Sequence, residues 1–146
     1  MNAIQEKRLL KLADFLQELP KEKFDFAHIV REEQNSKGKT CGTVCCAVGW
    51  LPKIFPRHWK WDVCGLGVGA AYVNSRVSSD IWLWVSNSAE FFGIPREAAR
   101  LLFTANMLRP WARGCSRLHK SATAKQVATS IRQFIRWFKK NPNYGF

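Results

Sequence analysis

Five cysteines and three histidines are the side chains of this 146-residue chain best suited to covalent or metal chemistry: Cys41, Cys45, Cys46, Cys64 and Cys115, with His28, His58 and His119. A thiol becomes a nucleophile when its thiolate is stabilised, and the free N–H groups and positive pole of a helix N-terminus do this. Cys41, followed by Gly42 and Thr43 ahead of an expected short helix, is the candidate for that place. Cys–His catalysis also needs an imidazole within hydrogen-bond reach, and His28, His58 and His119 stand equal in this respect. No protease signature surrounds Cys41. For a metal, zinc takes four ligands, and its structural sites are usually built from closely spaced pairs. Cys41 with Cys45 or Cys46 offers one pair, Cys115 with His119 a second, and His58 with Cys64 a looser third, none with the tight C-x2-C spacing. The competing reading of all five thiols is that they are small buried apolar side chains.

Charge is the stronger bulk signal. The chain carries 23 Lys and Arg against 11 Asp and Glu. Residues 1–95 hold 12 of the basic and 10 of the acidic side chains, whereas residues 96–146 hold 11 basic and one acidic, Glu97. Segregation of this kind exceeds what solubility needs and points to an anionic partner. Lys125, Arg132, Arg136, Lys139 and Lys140 fall on the side of a predicted last helix opposite Ile131 and Phe134. Arg96 and Arg100 are four apart on the helix before, and Arg109, Arg113, Arg117 and Lys120 crowd the segment between. Arginine outnumbers lysine here, and its planar fork suits phosphate and carboxylate. Trp111 and Trp137 are candidates for a stacking surface, although most Trp in so aromatic a chain belong to the core. No sequence-reading DNA motif is present.

Those residues need a scaffold, and the chain predicts a mainly α (α-rich α+β) domain of about five helices, spanning 1–146, with at most a small β-hairpin. Asn2 caps a first helix to Leu19, stopped by Pro20, with Leu9, Leu12, Phe15, Leu16 and Leu19 on one face. Phe24 and Phe26 anchor a short turn. Thr40 or Thr43 is read as the cap of a short helix limited by Gly49 and Pro52. Residues 53–85 favour loop with a short strand, and Asp80–Val85 fits a strand or a buried helical turn. Ser86 or Ser88 is the expected cap of the next helix, with Gly93 as its stop and Pro95 opening another. Thr123 and Gln126 form a capping box for a last helix to about Lys140. Gly65, Gly67 and Gly69 follow no convincing strand and open no amphipathic helix, so close backbone packing is the better reading than a phosphate loop.

The segment Cys41-Gly42-Thr43, Cys46-Ala47 and Gly49-Trp50 resembles a motif of small uncharacterised phage and bacterial proteins, CGTxxCAxG followed by His or Trp. In those proteins an N-terminal helix and an F-(D/N)-(M/F) segment precede the motif, as LADFLQELP and Phe24-Asp25-Phe26 do here. Leu102-Phe103, Trp111 and the helix from Thr123 match the features that follow it. The resemblance implies a phage-linked setting and no particular activity. Cys41 and Cys46 are the matching pair, and Cys45 is additional.

The sequence therefore favours a non-enzymatic, phage-type accessory protein. Its basic C-terminal third (Arg96, Arg100, Arg109, Arg113, Arg117, Lys120, Arg132, Arg136, Lys139 and Lys140) would bind nucleic acid or an acidic host protein surface, such as a nucleic-acid-handling or defence component. Two alternatives stand beside it: a cysteine-dependent enzyme using Cys41 with His58 or His119, and a zinc-stabilised adaptor built on Cys41, Cys46, Cys115 and His119. No cofactor is expected. Neither a signal-peptide pattern nor an apolar run of about 18 residues is present, so the expected location is the cytoplasm, that of the host if the protein is phage-encoded. An odd number of irregularly spaced cysteines is a poor disulfide framework. Reducing agent is accordingly expected to leave the thermal melt unchanged, and a drop of many degrees would contradict this.

Overall fold

Asn2 begins the first helix as its sequence requires. Its side chain accepts the N–H of Gln5 at 3.0 Å, and the Gln5 side chain accepts the N–H of Asn2 at 2.7 Å. The helix that follows, α1 (Ala3–Glu18), ends at Leu19, whose extended backbone leads into Pro20. The computed structural model describes residues 1–26, 30–34, 40–64, 67–72, 81–104 and 121–141, the backbone alone at 30–34, 40–44, 62–64, 67–72 and 81–84. Along it run a 3-10 turn (Lys21–Lys23), β1 (Val30–Gln34), β2 (Thr40–Cys45), α2 (Leu51–Ile54), β3 (Trp59–Cys64), β4 (Gly67–Tyr72), α3 (Ile81–Phe92), α4 (Arg96–Phe103) and α5 (Ala124–Lys140).

The architecture is mainly α, with five helices among the described residues, as the periodicities indicate. Its β component is two separate antiparallel hairpins, β1–β2 and β3–β4. The second lies in the region expected to hold one. The first replaces the short helix expected at Thr40 or Thr43: residues 40–45 are extended and paired with 30–34. Thr-Cys-Gly-Thr-Val-Cys carries β-branched residues and no helical apolar period, and cross-strand pairing overrides the local capping signal. Gly67 and Gly69 belong to β4, opposite Cys64 and Asp62, and a strand, β3, does precede them, which corrects the expectation of none; Gly65 lies outside the described residues. Neither Ser86 nor Ser88 caps a helix, because α3 already starts at Ile81, and Ser88 is completely buried within it.

The core is organised around α1. Leu9, Leu12, Ala13 and Leu16 have no exposed surface, and the helix packs against α5, α3 and α2. The α5 helix presents Val127, Ile131, Phe134 and Ile135 inward, each buried side chain contributing roughly 1.5–3 kcal/mol by leaving water. Its own start is the expected capping box, with Thr123 and Gln126 exchanging side-chain and backbone hydrogen bonds at 2.8 and 3.3 Å. The two helices run antiparallel: Glu6 near the start of α1 meets Lys139 near the end of α5, and Asp14 meets Arg132. A second layer of packing is aromatic. Phe91 stands edge-on to Phe55 at 5.0 Å and to Trp59 at 5.7 Å, while Phe92 reaches Phe103 at 5.6 Å.

Gly93 stops α3 with φ +59, the left-handed conformation that side chains resist. A Cβ at this position would also strike the side chain of Gln5, which the α1 capping box holds in place. Gly93→Ala is therefore expected to lower stability by roughly 2–4 kcal/mol in denaturant melts. Adding Gln5→Ala should recover part of that loss. Simple additivity of the two substitutions would show that the Gln5 side chain does not constrain Gly93.

Candidate anion-binding surface

The cysteine motif lies at the centre of the fold. Every residue from Cys45 to Pro52 is buried. Cys45 ends β2 and also bridges to Phe24, fixing the 3-10 turn against the hairpin. Cys46 opens the turn that leads to α2, where the nearby backbone N–H groups of Gly49 and Val48 favour its thiolate. Trp50 completes the unit by donating its indole N–H to the carbonyl of Lys23 at 3.3 Å.

This arrangement keeps both thiols protonated. Burial raises the Cys46 thiol from 9.0 to about 11, against the two backbone N–H groups that favour its thiolate. Burial, and then the neighbouring Cys46, raise Cys45 to about 12. Both belong to the inert class of cysteines. Cys41 stands in β2 as the extra residue between the Thr40–Gln34 and Gly42–Glu33 pairs. The helix N-terminus that would have activated it is not there, which corrects the expectation. His58 turns its ring against Phe91, 5.3 Å between centroids, and makes no side-chain hydrogen bond among the described residues. Among those residues no group of three His, Cys, Asp or Glu side chains is placed to hold a metal. His28, Cys115 and His119 lie outside the described residues, as do Arg109, Trp111, Arg113, Arg117 and Lys120.

The basic residues of α5 divide into two sets. Along a helix of 3.6 residues per turn, Lys125, Thr129, Arg136 and Lys140 fall within one narrow outward stripe, opposite Val127, Ile131 and Phe134. From Lys125 to Lys140 the stripe is about 22 Å long at about 1.5 Å per residue. Its three cations are exposed and form no ion pair among the described residues. Arg132 and Lys139 project from the flank facing α1 and are taken up there. Arg132 donates to Asp14 at 2.8 Å and to Gln17 at 3.2 Å, and Lys139 to Glu6 at 2.7 Å. The expected face of Arg132, Arg136, Lys139 and Lys140 is thus split, because α1 supplies acids to one edge only. On α4, Arg96 is exposed and Arg100 is partly buried, 3.5 Å from Glu97. Trp137 is half-buried beside Phe134, an extension of the core more than a free platform.

Lys125 also borders a groove of about 540 Å³ between the end of α1 and the start of α5. Its walls combine Leu19, Pro20, Phe24 and Ala122 with Gln17, Glu18 and Lys21. Sequence reading missed this groove, because it joins two element ends about a hundred residues apart. The outward stripe was legible from spacing, whereas its separation from Arg132 and Lys139 was not. No helix among the described residues is long and apolar enough to cross a membrane. Comparison with protein-family models, curated proteins and solved structures gave no match.

The thiols carry a testable consequence. At pH 7.5 Cys45 and Cys46 should resist iodoacetamide in the folded protein and react once it is denatured; rapid labelling of either in the folded state would contradict their inert setting. Because folding raises both thiols, their protonation contributes fully below pH 9, where the unfolded chain also keeps its protons. The contribution fades above pH 9 and is lost as pH approaches about 11 for Cys46 and about 12 for Cys45. Cys45→Ala should make that alkaline decline shallower.

Proposed function

We propose that this chain is a non-enzymatic binding protein that docks nucleic acid through the outward stripe of α5. The observation that carries the reading is the row Lys125, Arg136 and Lys140, exposed and without ion pairs among the described residues, on the helix that ends the strongly basic third of the chain. A polyanion meets such a row by shedding condensed counterions, so binding needs neither a pocket nor base-reading contacts. Arg96 and the basic residues 109–120 extend the same charge excess. Lys139 and Lys140 also offset the negative pole at the end of α5, and this structural role accounts for part of their presence but not for Lys125 or Arg136. The likeness of the Cys41–Trp50 segment to small phage and bacterial proteins supports a phage-linked setting, in which the natural complex is nucleic acid or a host component that handles it.

The buried, proton-retaining thiols of Cys45 and Cys46 favour a structural role for those two. Cys41, on which the cysteine-enzyme alternative rests, stands in β2 without the helix N-terminus that would activate it, which supports binding over cysteine catalysis. Changing Lys125, Arg136 and Lys140 together to Gln tests the reading. Anisotropy of a labelled oligonucleotide across a salt series should show weaker binding. The salt dependence should flatten by about one unit of slope for each phosphate that the variant no longer neutralises. The melt should hardly move, since solvated charges add little to folding. Equal binding by variant and parent would reduce the stripe to a solvated surface. Capture of a nuclease-resistant protein by the parent, with no shift of bare oligonucleotides, would replace nucleic acid with an acidic protein surface.

A further inference from the structure

We infer that Glu6 and Asp14 of α1 act as built-in competitors for the polyanion, holding Lys139 and Arg132 out of the binding surface and so limiting its strength and width. The inference rests on the reading of α5 as a nucleic-acid interface and adds to it an attenuating device. Its basis is geometric. All five cations of α5 lie on the solvent side of the helix, yet among the described residues only the two on the α1 flank have carboxylates within ion-pair distance, 2.8 Å for Arg132 and 2.7 Å for Lys139. Arg132 is further held by Gln17, so its fork is already filled by oxygen acceptors from α1. A phosphate approaching that flank has to displace a carboxylate and also meets its repulsion. A phosphate approaching Lys125, Arg136 or Lys140 displaces no ion-paired carboxylate among the described residues, although Glu18 lines the groove that Lys125 borders. The Asp14 side chain is 71% exposed, whereas that of Glu6 is 25% exposed and its partner Lys139 58%. Both pairs therefore reach water, the Asp14 pair contributes little to folding, and either can be released without unfolding the helix pair.

The test compares Glu6→Gln plus Asp14→Asn with a control of equal charge change, Glu22→Gln plus Glu90→Gln. These control residues are exposed and form no ion pair among the described residues. Gln and Asn preserve shape, and a thermal melt of each variant verifies the fold. Should the double variant be unstable, Asp14→Asn alone with Glu22→Gln alone as its control gives the same comparison for one cation. Both pairs of substitutions raise net charge by two, so a general field effect strengthens binding to a labelled single-stranded oligonucleotide equally in each. Only release of Arg132 and Lys139 lets further cations reach phosphates, steepening the log–log salt dependence by about one unit per released cation. The expected result is a slope steeper by about two in the α1 variant and unchanged in the control. Equal slopes in the two variants, with the parent binding, would overturn the competitor role and leave the α5 reading intact. Failure of parent and variants alike to bind would overturn that reading and the competitor role with it.

Discussion

Burial of one face of α1 is the constraint on which the other elements depend. Leu9, Leu12, Ala13 and Leu16 are fully removed from water, and their neighbours are supplied by α5 on one side and by α2 and α3 on another. The polar residues of the same helix then fix those neighbours at their ends. Arg8 donates to the carbonyl of Phe91 at 2.9 Å, and Lys11 to that of Ile54 at 3.2 Å, so each cation sits at the negative pole of a helix it does not belong to. The same cations lie over aromatic rings, Arg8 at 4.3 Å from the centroid of Phe91 and Lys11 at 5.2 Å from that of Phe55. Arg8 and Lys11 are in this way used for construction. Charge on α5 is directed outward, except where α1 reaches across with Glu6 and Asp14.

Two of the residues best equipped for chemistry, Cys45 and Cys46, are used by the fold as structure. Cys45 and Cys46 join the first hairpin, the 3-10 turn and α2 at a point almost closed to solvent. A thiol is suited to that position because it is small, apolar and still able to accept backbone N–H groups. An ionised side chain could not occupy it without a partner.

Local signals made much of this readable. The capping boxes at Asn2 and Thr123 involve residues three apart, and the stripes of α1 and α5 repeat at helical spacing, so neighbours in sequence suffice to define them. The first hairpin was not readable in the same way. Thr40 and Thr43 are good caps, and only the pairing of β2 with β1 decides against a helix. At α3 the serines mislead for another reason: Ser88 lies inside a helix whose surroundings are apolar, and its buried hydroxyl has no hydrogen-bond partner among the described residues. The candidate surface was half visible. Spacing places the cations of α5 outward, but Arg132 finds Asp14 across 118 positions of sequence, and no pattern within α5 encodes that pairing.

Such distant pairing also bears on how the molecule assembles. α1 cannot shelter its apolar face until α5 arrives, and bringing the two together closes a loop of more than a hundred residues. Entropy is spent on that closure before the buried contacts return it, so the two-helix union belongs late in folding and slows it relative to a bundle of sequence neighbours. Until then the stripe of Val127, Ile131, Phe134 and Ile135 stays open to water, and to the same stripe on other chains. Self-association during refolding should therefore compete most strongly at high protein concentration, through a surface that the finished molecule no longer displays.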